Sequence, residues 1–210
     1  FYEFDETPEV PLSRMDDQFM VGSAILQAPI LDGTAERTVL LPGEGLRWFS
    51  AAEGSWRPGN AAAVVKDSPA GTPLFIREGA VVPMLGGEPE TPAKDFGAVE
   101  FHVFLPADSK LEAECVFAFD DGETFRYRKG FRTSFRLVAS VRENSLRVEI
   151  RDKSVGHLPC GMTVVLYDKF DKVVLADGAR EAHLPTEKAS WDFLGRKLAV
   201  RRTRESLLKT

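Results

Sequence analysis

Turn-forming pairs that contain glycine divide this sequence into short segments. They stand at Asp32-Gly33, Pro42-Gly43, Pro58-Gly59 and Asp121-Gly122, and short runs of β-branched and aromatic residues lie between such pairs. Glycine, proline and aspartate supply the backbone dihedrals that tight turns need. Turn signals spaced about 8 to 12 residues apart are typical of antiparallel β-sandwiches and barrels. The spacing therefore predicts an all-β protein.

The predicted strands are short and are spread over the whole chain, and one short helix is predicted beside them. The strands are predicted at 24–30, 38–41, 46–49, 61–66, 74–77, 80–84, 99–105, 115–119, 124–127, 133–138, 146–150, 163–167, 172–175 and 197–201. The helix is predicted over 13–24, where Ser13 and Asp16 resemble a capping box. Asp121-Gly122 is expected at the tip of a hairpin that joins 115–119 to 124–127.

The segment 86–92 contains two glycines, two prolines and no apolar residue. It is the best candidate for a linker, because a chain of 210 residues accommodates two domains of about 100 residues each. We therefore predict two antiparallel β-sandwich domains, a proximal one over 1–90 and a distal one over 91–210, with at most one short helix. In the second domain, Leu146, Val148 and Ile150 alternate with charged residues, which predicts one packed and one solvated face.

The charge balance argues against two classes of partner. Twenty-seven Lys and Arg residues stand against 32 Asp and Glu, for a net charge of −5, so general affinity for nucleic acid or anionic lipid is not expected. The basic residues between Arg126 and Arg136 alternate with aromatic ones and are interpreted as the solvated face of a strand. No apolar run approaches the length of about 20 residues that spans a bilayer. The chain begins at Phe1 and its first methionine is Met15, so we interpret it as part of a longer protein.

No catalytic or metal-binding set is predicted. Asp16-Asp17 and Asp120-Asp121 are the conspicuous acidic pairs, but adjacent side chains point in different directions, so turn and capping roles are expected. The three histidines are isolated, and neither EF-hand nor zinc spacing is present. No cofactor is expected. Cys115 and Cys160 are interpreted as buried free thiols, and the compartment is left open.

Two tryptophans, Trp48 and Trp56, are the candidate substrate-binding residues, because an aromatic face suits the apolar side of a sugar ring. The alternative is that both rings are half-buried in a β-sandwich core.

Several segments, taken in order, resemble the C-terminal region of glycoside hydrolase family 31, the α-glucosidase and α-xylosidase family. Residues 16–30, DDQFMVGSAILQAPI, resemble the family stretch "DDQFMLG…LLVAPV", which follows a segment similar to FYEFDE at 1–6. Residues 40–42, LLP, with Trp48 resemble an "LP…W" strand pair. Residues 72–83, TPLFIREGAVVP, resemble "IPLFVRAGAIIP", and 119–127, FDDGETFRY, resemble "YEDDGES…Y".

The resemblance implies two β-sandwiches that pack behind a (β/α)₈ barrel. In the family an Asp nucleophile and an Asp acid/base belong to that barrel, so no residue of this chain is expected to be catalytic. The implied role is a non-catalytic fragment of a retaining α-glycosidase that supports the barrel, with possible oligosaccharide binding and self-association. The alternatives are a stand-alone carbohydrate-binding module that uses Trp48 and Trp56, and a protein-interaction sandwich. Residues 47–50, RWFS, replace the usual Trp-Tyr-Asp, so the substrate within the family is not implied.

Overall fold

The computed structural model describes residues 4, 7, 16–30, 35–66, 72–86, 98–156, 162–178, 180–184, 189–193 and 196–202. These residues form β-strands joined by turns, with one short 3₁₀ helix among the described parts of the chain. The prediction of an all-β protein is confirmed. Within the same residues, no helix is both long enough and apolar enough to cross a membrane.

The chain divides into two compact units, and among the described residues the first ends at Glu78 and the second spans 79–202. This division falls before the predicted boundary at residue 90, because the strand that begins at Ala80 pairs along its whole length with the strand that begins at Ala98. The domain limits 1–90 and 91–210 stay a prediction.

Within its described residues, the first unit contains seven strands, and all of their pairings are antiparallel. They are β1 (Phe19–Val21), β2 (Ile25–Gln27), β3 (Glu36–Leu41), β4 (Arg47–Ser50), β5 (Ser55–Pro58), β6 (Ala61–Lys66) and β7 (Leu74–Arg77). One sheet has the order β1-β2-β7-β4-β5, and β3 pairs with β6 in a second sheet. Leu26 and Phe75 of the larger sheet and Val39 and Leu41 of the smaller one belong to one buried cluster. The first unit is therefore a small β-sandwich.

The described part of the second unit contains ten strands in one mixed sheet. They are β8 (Ala80–Gly86), β9 (Ala98–Phe104), β10 (Glu112–Phe119), β11 (Thr133–Arg142), β12 (Ser145–Ser154), β13 (Met162–Leu166), β14 (Lys172–Asp177), β15 (Arg180–Leu184), β16 (Ala189–Phe193) and β17 (Arg196–Arg202). Their order is β15-β14-β12-β11-β10-β8-β9-β13-β17-β16. Four of these pairings are parallel: β8 with β10, β12 with β14, β9 with β13 and β13 with β17.

The sheet of the second unit folds onto itself and encloses its core. Phe101 of β9 and Phe135 of β11 belong to strands that are separated by two others, yet their ring centroids are 5.6 Å apart. Strands that far apart in a flat sheet would be about 14 Å apart, at roughly 4.8 Å per strand. On β12, Leu146, Val148 and Ile150 are buried in this core. The predicted alternation on that strand is confirmed.

The helix predicted over 13–24 is wrong in its described part. Residues 19–21 form β1, Gly22 adopts φ +61° in the turn, and β2 follows. A positive φ interrupts a right-handed helix. The amide of Gln18 also donates to the Leu40 carbonyl at 2.7 Å and accepts from the Leu40 N–H at 2.9 Å, which holds the start of β1 in an extended conformation. Ser13, the proposed capping residue, lies outside the described residues.

The strand predicted at 124–127 is also wrong, because a 3₁₀ helix spans Phe125–Lys129. The Thr124 hydroxyl caps it by accepting from the Arg126 N–H, and Gly130 ends it at φ 81°. β10 therefore pairs with β11 rather than with a strand at 124–127.

Candidate functional site

Trp48, the first candidate for sugar stacking, lies in the core of the first unit. Its side chain has no solvent-accessible surface, and its indole Nε1 donates to the Pro42 carbonyl at 2.8 Å. The ring of Phe4 packs against it with centroids 6.0 Å apart. In this position Trp48 presents no ring face to a ligand, and it stabilises the packing of β4.

Trp56, the second candidate, is half-buried on β5. Its ring meets Phe49 edge to face, with centroids 5.4 Å apart and an interplanar angle of 70°. Phe49 and Trp56 are register partners, and Trp48 is opposite Arg57. Since side chains alternate between the faces of a sheet, Trp48 and Trp56 project from opposite faces and do not form one platform. Sugar stacking by Trp56 stays a prediction.

The indole nitrogen of Trp56 is shielded from solvent and has no hydrogen-bond partner among the residues that the structure describes. A buried polar group without a partner costs about 1–3 kcal/mol.

Three residues of the two acidic pairs, Asp17, Asp120 and Asp121, have structural partners. The Asp17 carboxylate forms an ion pair with Arg37 at 2.6 Å, which ties the start of β1 to β3. The Asp121 carboxylate accepts from the Thr124 hydroxyl at 2.6 Å and from the Thr124 N–H at 3.0 Å. These hydrogen bonds hold the pKa of Asp121 below its ordinary value, the hydroxyl of Thr124 making the largest contribution. Asp120 accepts from the Gly122 N–H at 2.8 Å. The described geometry therefore fits the turn and ion-pair roles of these residues.

Glu78 is a buried acidic residue that the sequence analysis missed. Its side chain is only 4% exposed, and both oxygens accept from the Arg47 guanidinium, at 2.8 and 2.9 Å. The Glu78 N–H also donates to the Arg47 carbonyl at 2.8 Å, so the pair joins the end of β7 to β4 by backbone and side chain. Glu78 stands where the quoted family motif has alanine. This difference is the feature of the sequence that could have identified Glu78.

His102 is buried on β9 between two polar neighbours. Its Nδ1 lies 2.5 Å from the Tyr167 hydroxyl, and its Nε2 lies 3.2 Å from a carboxylate oxygen of Glu100. Among the described residues, no group of three His, Cys, Asp or Glu side chains is arranged to hold a metal ion. The arrangement at His102 is that of a hydrogen-bonded core histidine. His157 lies outside the described residues, and of His183 only the backbone in β15 is described.

Cys115 is free and half-buried, and burial raises the pKa of its thiol to about 11. It is therefore protonated and unreactive near neutral pH. Cys160 lies outside the described residues.

The basic and aromatic residues around the 3₁₀ helix do not form the predicted strand face. The Arg126 guanidinium stacks on the Phe131 ring at 3.7 Å, and Arg128 lies 4.8 Å from the centroid of the Phe125 ring. These cation–π contacts compact the segment between β10 and β11.

Edge strand β1 presents apolar side chains to solvent. Phe19 is 48% exposed and Val21 is 47% exposed, and both project from the same face, since they are two residues apart. Among the strands that the structure describes, β1 pairs only with β2. An exposed apolar edge strand is a surface that a further protein segment covers in many assemblies.

Parts of this chain are similar to known proteins. Residues 1–82 match the glycosyl hydrolase family 31 C-terminal domain. An alpha-glucosidase of Saccharolobus solfataricus is 35% identical over 88 residues, which cover 42% of this chain and 12% of the relative. An alpha-xylosidase of the same organism is 31% identical over 116 residues, which cover 55% of this chain and 15% of the relative.

The fold also has a counterpart among solved structures. A family 31 dextranase from Flavobacterium johnsoniae, solved with isomaltotriose, superposes with a TM-score of 0.59 and 20% identity over 87% of this chain and 21% of that one. The predicted family resemblance is confirmed. The chain spans about a fifth or less of the proteins that it matches.

Proposed function

We propose that this chain is the non-catalytic C-terminal part of a retaining α-glycosidase, because residues 1–82 match the glycosyl hydrolase family 31 C-terminal domain. In this proposal its two β-sandwiches support a (β/α)₈ barrel that hydrolyses α-linked glucosides. The family match is the observation that carries the proposal.

The contacts of three described acidic residues support a non-catalytic role for this chain. Retaining glycosidases need two carboxyl groups about 5–5.5 Å apart, one nucleophilic and one that donates a proton. Here the Asp17 carboxylate is paired with Arg37, Glu78 with Arg47, and Asp121 with Thr124. These three carboxylates are engaged in structural contacts, which agrees with a catalytic pair supplied by the barrel.

The proposed docking surface for the barrel is β1. Its exposed Phe19 and Val21 lie within the segment that resembles the family's motif directly after the barrel. An apolar surface left uncovered favours self-association, so the isolated chain is expected to associate with itself at high concentration.

An activity assay tests the proposal. The purified chain should release neither glucose from maltose nor nitrophenol from p-nitrophenyl α-glucoside, while the same chain joined to the upstream barrel of its parent should release both. Turnover by the isolated chain that disappears when one of its carboxylates is replaced would overturn the proposal.

Variants of β1 test the docking surface. Phe19→Ser with Val21→Ser should abolish co-purification with a separately expressed barrel, while Val116→Ser should not. Val116 is a suitable control because it is 76% exposed and lies on β10 of the second unit. Equal recovery of the barrel by both variants would exclude β1 as the docking surface.

A second candidate function is carbohydrate binding by Trp56, favoured by its partly exposed ring on β5. Titration with maltotriose should then quench tryptophan fluorescence in the wild type and not in Trp56→Phe. Quenching that persists in the variant would exclude Trp56.

A further inference from the structure

A cavity of about 400 Å³ opens between β8 and β10 of the second unit. Its lining includes Met84, Val99, Phe117, Phe119, Asp120 and Arg132. The volume lies within the range of about 300–1,000 Å³ that small-molecule sites occupy.

The strand pairing explains why the sheet opens here. β10 pairs with β11 from Glu112 to Phe119, and β8 pairs with β9 from Ala80 to Gly86. Among the described residues, however, β8 and β10 meet in register only at Ala80 and Glu114. The two strands then separate, and the cavity lies in the gap between them. The backbone beside such a gap offers donors and acceptors that are not used by a neighbouring strand.

The floor of the cavity is apolar and aromatic. Val99 is a buried core residue, and Phe117 packs edge to face on Phe101 with centroids 5.1 Å apart. The rings of Phe117 and Phe119 are nearly parallel, with an interplanar angle of 16° and centroids 6.2 Å apart. The two rings therefore lead from the core toward the mouth of the cavity. Aromatic rings of this kind pack on apolar faces of ligands.

The mouth carries one carboxylate and one guanidinium. Phe119 and Thr133 are register partners at the end of the β10–β11 ladder, so Asp120 directly follows one strand and Arg132 directly precedes the other. The Oδ1 atom of Asp120 accepts from the Gly122 N–H. Within the described part of the chain, neither the second oxygen of Asp120 nor the Arg132 guanidinium has a hydrogen-bond or ion-pair partner.

We propose that this cavity binds one sugar unit of a neutral α-glucan. The apolar C–H face of the pyranose lies on Phe119, and its hydroxyl groups donate to the Asp120 carboxylate and accept from the Arg132 guanidinium. A concave apolar floor with a few polar groups at its edge fits a ligand with both kinds of surface. The choice of an α-glucan as the ligand rests on the proposed function. The cavity and its lining are observed independently of that function.

Titration of the 210-residue chain with isomaltotriose and with maltotriose, followed by ¹H–¹⁵N NMR, tests the assignment. We expect saturable shifts of the backbone amides of Ala118 and Gly122, and no shift of the Trp56 indole. Absence of saturable shifts with both sugars would overturn the proposal. Shifts confined to the Trp56 indole would also overturn it and would favour the carbohydrate-binding alternative at that residue.

Two charge-removing variants and a matched control sharpen the test. Asp120→Asn keeps an oxygen that accepts from Gly122, and Arg132→Gln removes the guanidinium. Each should weaken sugar binding at least about tenfold, because it removes a hydrogen bond to a charged group. Arg142→Gln at the opposite end of β11 makes the same chemical change about 30 Å away, at about 3.3 Å per residue, and should leave the affinity unchanged. Equal affinity of the wild type, Asp120→Asn and Arg132→Gln would exclude this pocket.

The outcomes separate this proposal from the proposed function. Sugar binding that depends on Asp120 and Arg132, in a chain that does not restore activity to a barrel, overturns only the proposed function. Restored activity without sugar binding at this pocket overturns only the present assignment.

Discussion

The two units reach the same fold class by different strand pairings. In the first unit all pairings are antiparallel, and β1 with β2 and β4 with β5 are local hairpins. In the second unit four pairings are parallel, and these join strands that are far apart in sequence. Parallel neighbours need a crossover connection of about a dozen or more residues. The described strands of the first unit are therefore joined by antiparallel pairings around a small core, and those of the second by antiparallel and parallel pairings around a larger one.

This difference predicts where single substitutions act most strongly. The core of the first unit centres on a few large side chains, among them Trp48 and Phe75, whereas many residues share the core of the second. A small domain has a small margin of stability, so the loss of one large side chain removes a greater part of it.

The largest expected effect is that of Trp48→Ala. It removes a fully buried ring and the hydrogen bond to Pro42, so it should lower the free energy of unfolding of the first unit by about 3–5 kcal/mol. Amide hydrogen exchange should show loss of protection in β2, β4 and β7 while β11 and β12 keep theirs.

Phe101→Ala is the matched variant in the second unit, where the side chain is equally buried. It should reduce protection of β11 and β12 and leave β4 unchanged. If either variant lowers protection equally in both units, the units unfold together and the comparison fails.

The second effect concerns the Arg47–Glu78 pair. Glu78→Gln keeps the shape of the side chain but removes the charge that meets the guanidinium at 2.8 and 2.9 Å. Because Glu78 is buried and Arg47 is partly exposed, the expected loss of stability is about 2 kcal/mol, within the range for hydrogen bonds to charged groups. Urea unfolding measures it. Glu53→Gln at the more exposed Glu53–Arg57 pair is the control and should cost less than half as much.

The third effect concerns the turn after β10. Gly122 adopts φ +64°, a region that β-branched residues strongly avoid, so Gly122→Val should cost about 1–3 kcal/mol. Gly122→Asn should cost much less, because asparagine tolerates this conformation. Thermal unfolding of both variants measures the difference. An unchanged melting temperature in Gly122→Val would contradict the assigned role of this turn.

The same contrast shows what could be predicted from the sequence. Turn pairs such as Pro42-Gly43 and alternating residues such as Leu146 and Val148 report local geometry, so most strands and the all-β class were predicted. Parallel pairing has no such local signal, because the paired strands are not consecutive in the sequence. β12 pairs with β14, and β13, which lies between them in the sequence, is in another part of the sheet. Short β5 lacks a hydrophobic pattern, and only Trp56 among its residues is apolar and aromatic.

The missed features depend on tertiary contacts. Thr124 and Gly130 cap a 3₁₀ helix in a segment whose alternation resembles a strand. Trp48 and Trp56 look equivalent in the sequence, and only the register of β4 with β5 places them on opposite faces. The gap between β8 and β10 arises because their pairing ends at Glu114. The type of residue at this position does not predict where the pairing ends.

The smallest effect is a pH dependence that both units share. Hydrogen bonding by Arg57 lowers the pKa of Glu53 in the first unit, and hydrogen bonding by Arg151 lowers the pKa of Glu149 in the second, in each case below 4.5. A lowered folded pKa means that the folded state favours the charged carboxylate. The stabilisation is therefore fully present above the unfolded pKa near 4.5 and is lost as the pH falls through the folded value.

The guanidinium groups of Arg57 and Arg151 are exposed, so screening by solvent keeps the contribution of each pair small. Glu53→Gln should reduce the loss of stability at acid pH in the first unit alone, and Glu149→Gln should do so in the second unit alone. At pH 7 in high salt, neither variant should change the free energy of unfolding much. Hydrogen exchange of β4 and of β12 between pH 3 and 6 resolves the two units. If Glu53→Gln flattened the curve measured at β12, the acid response would be a property of the whole chain, and the two units would differ in topology but not in stability.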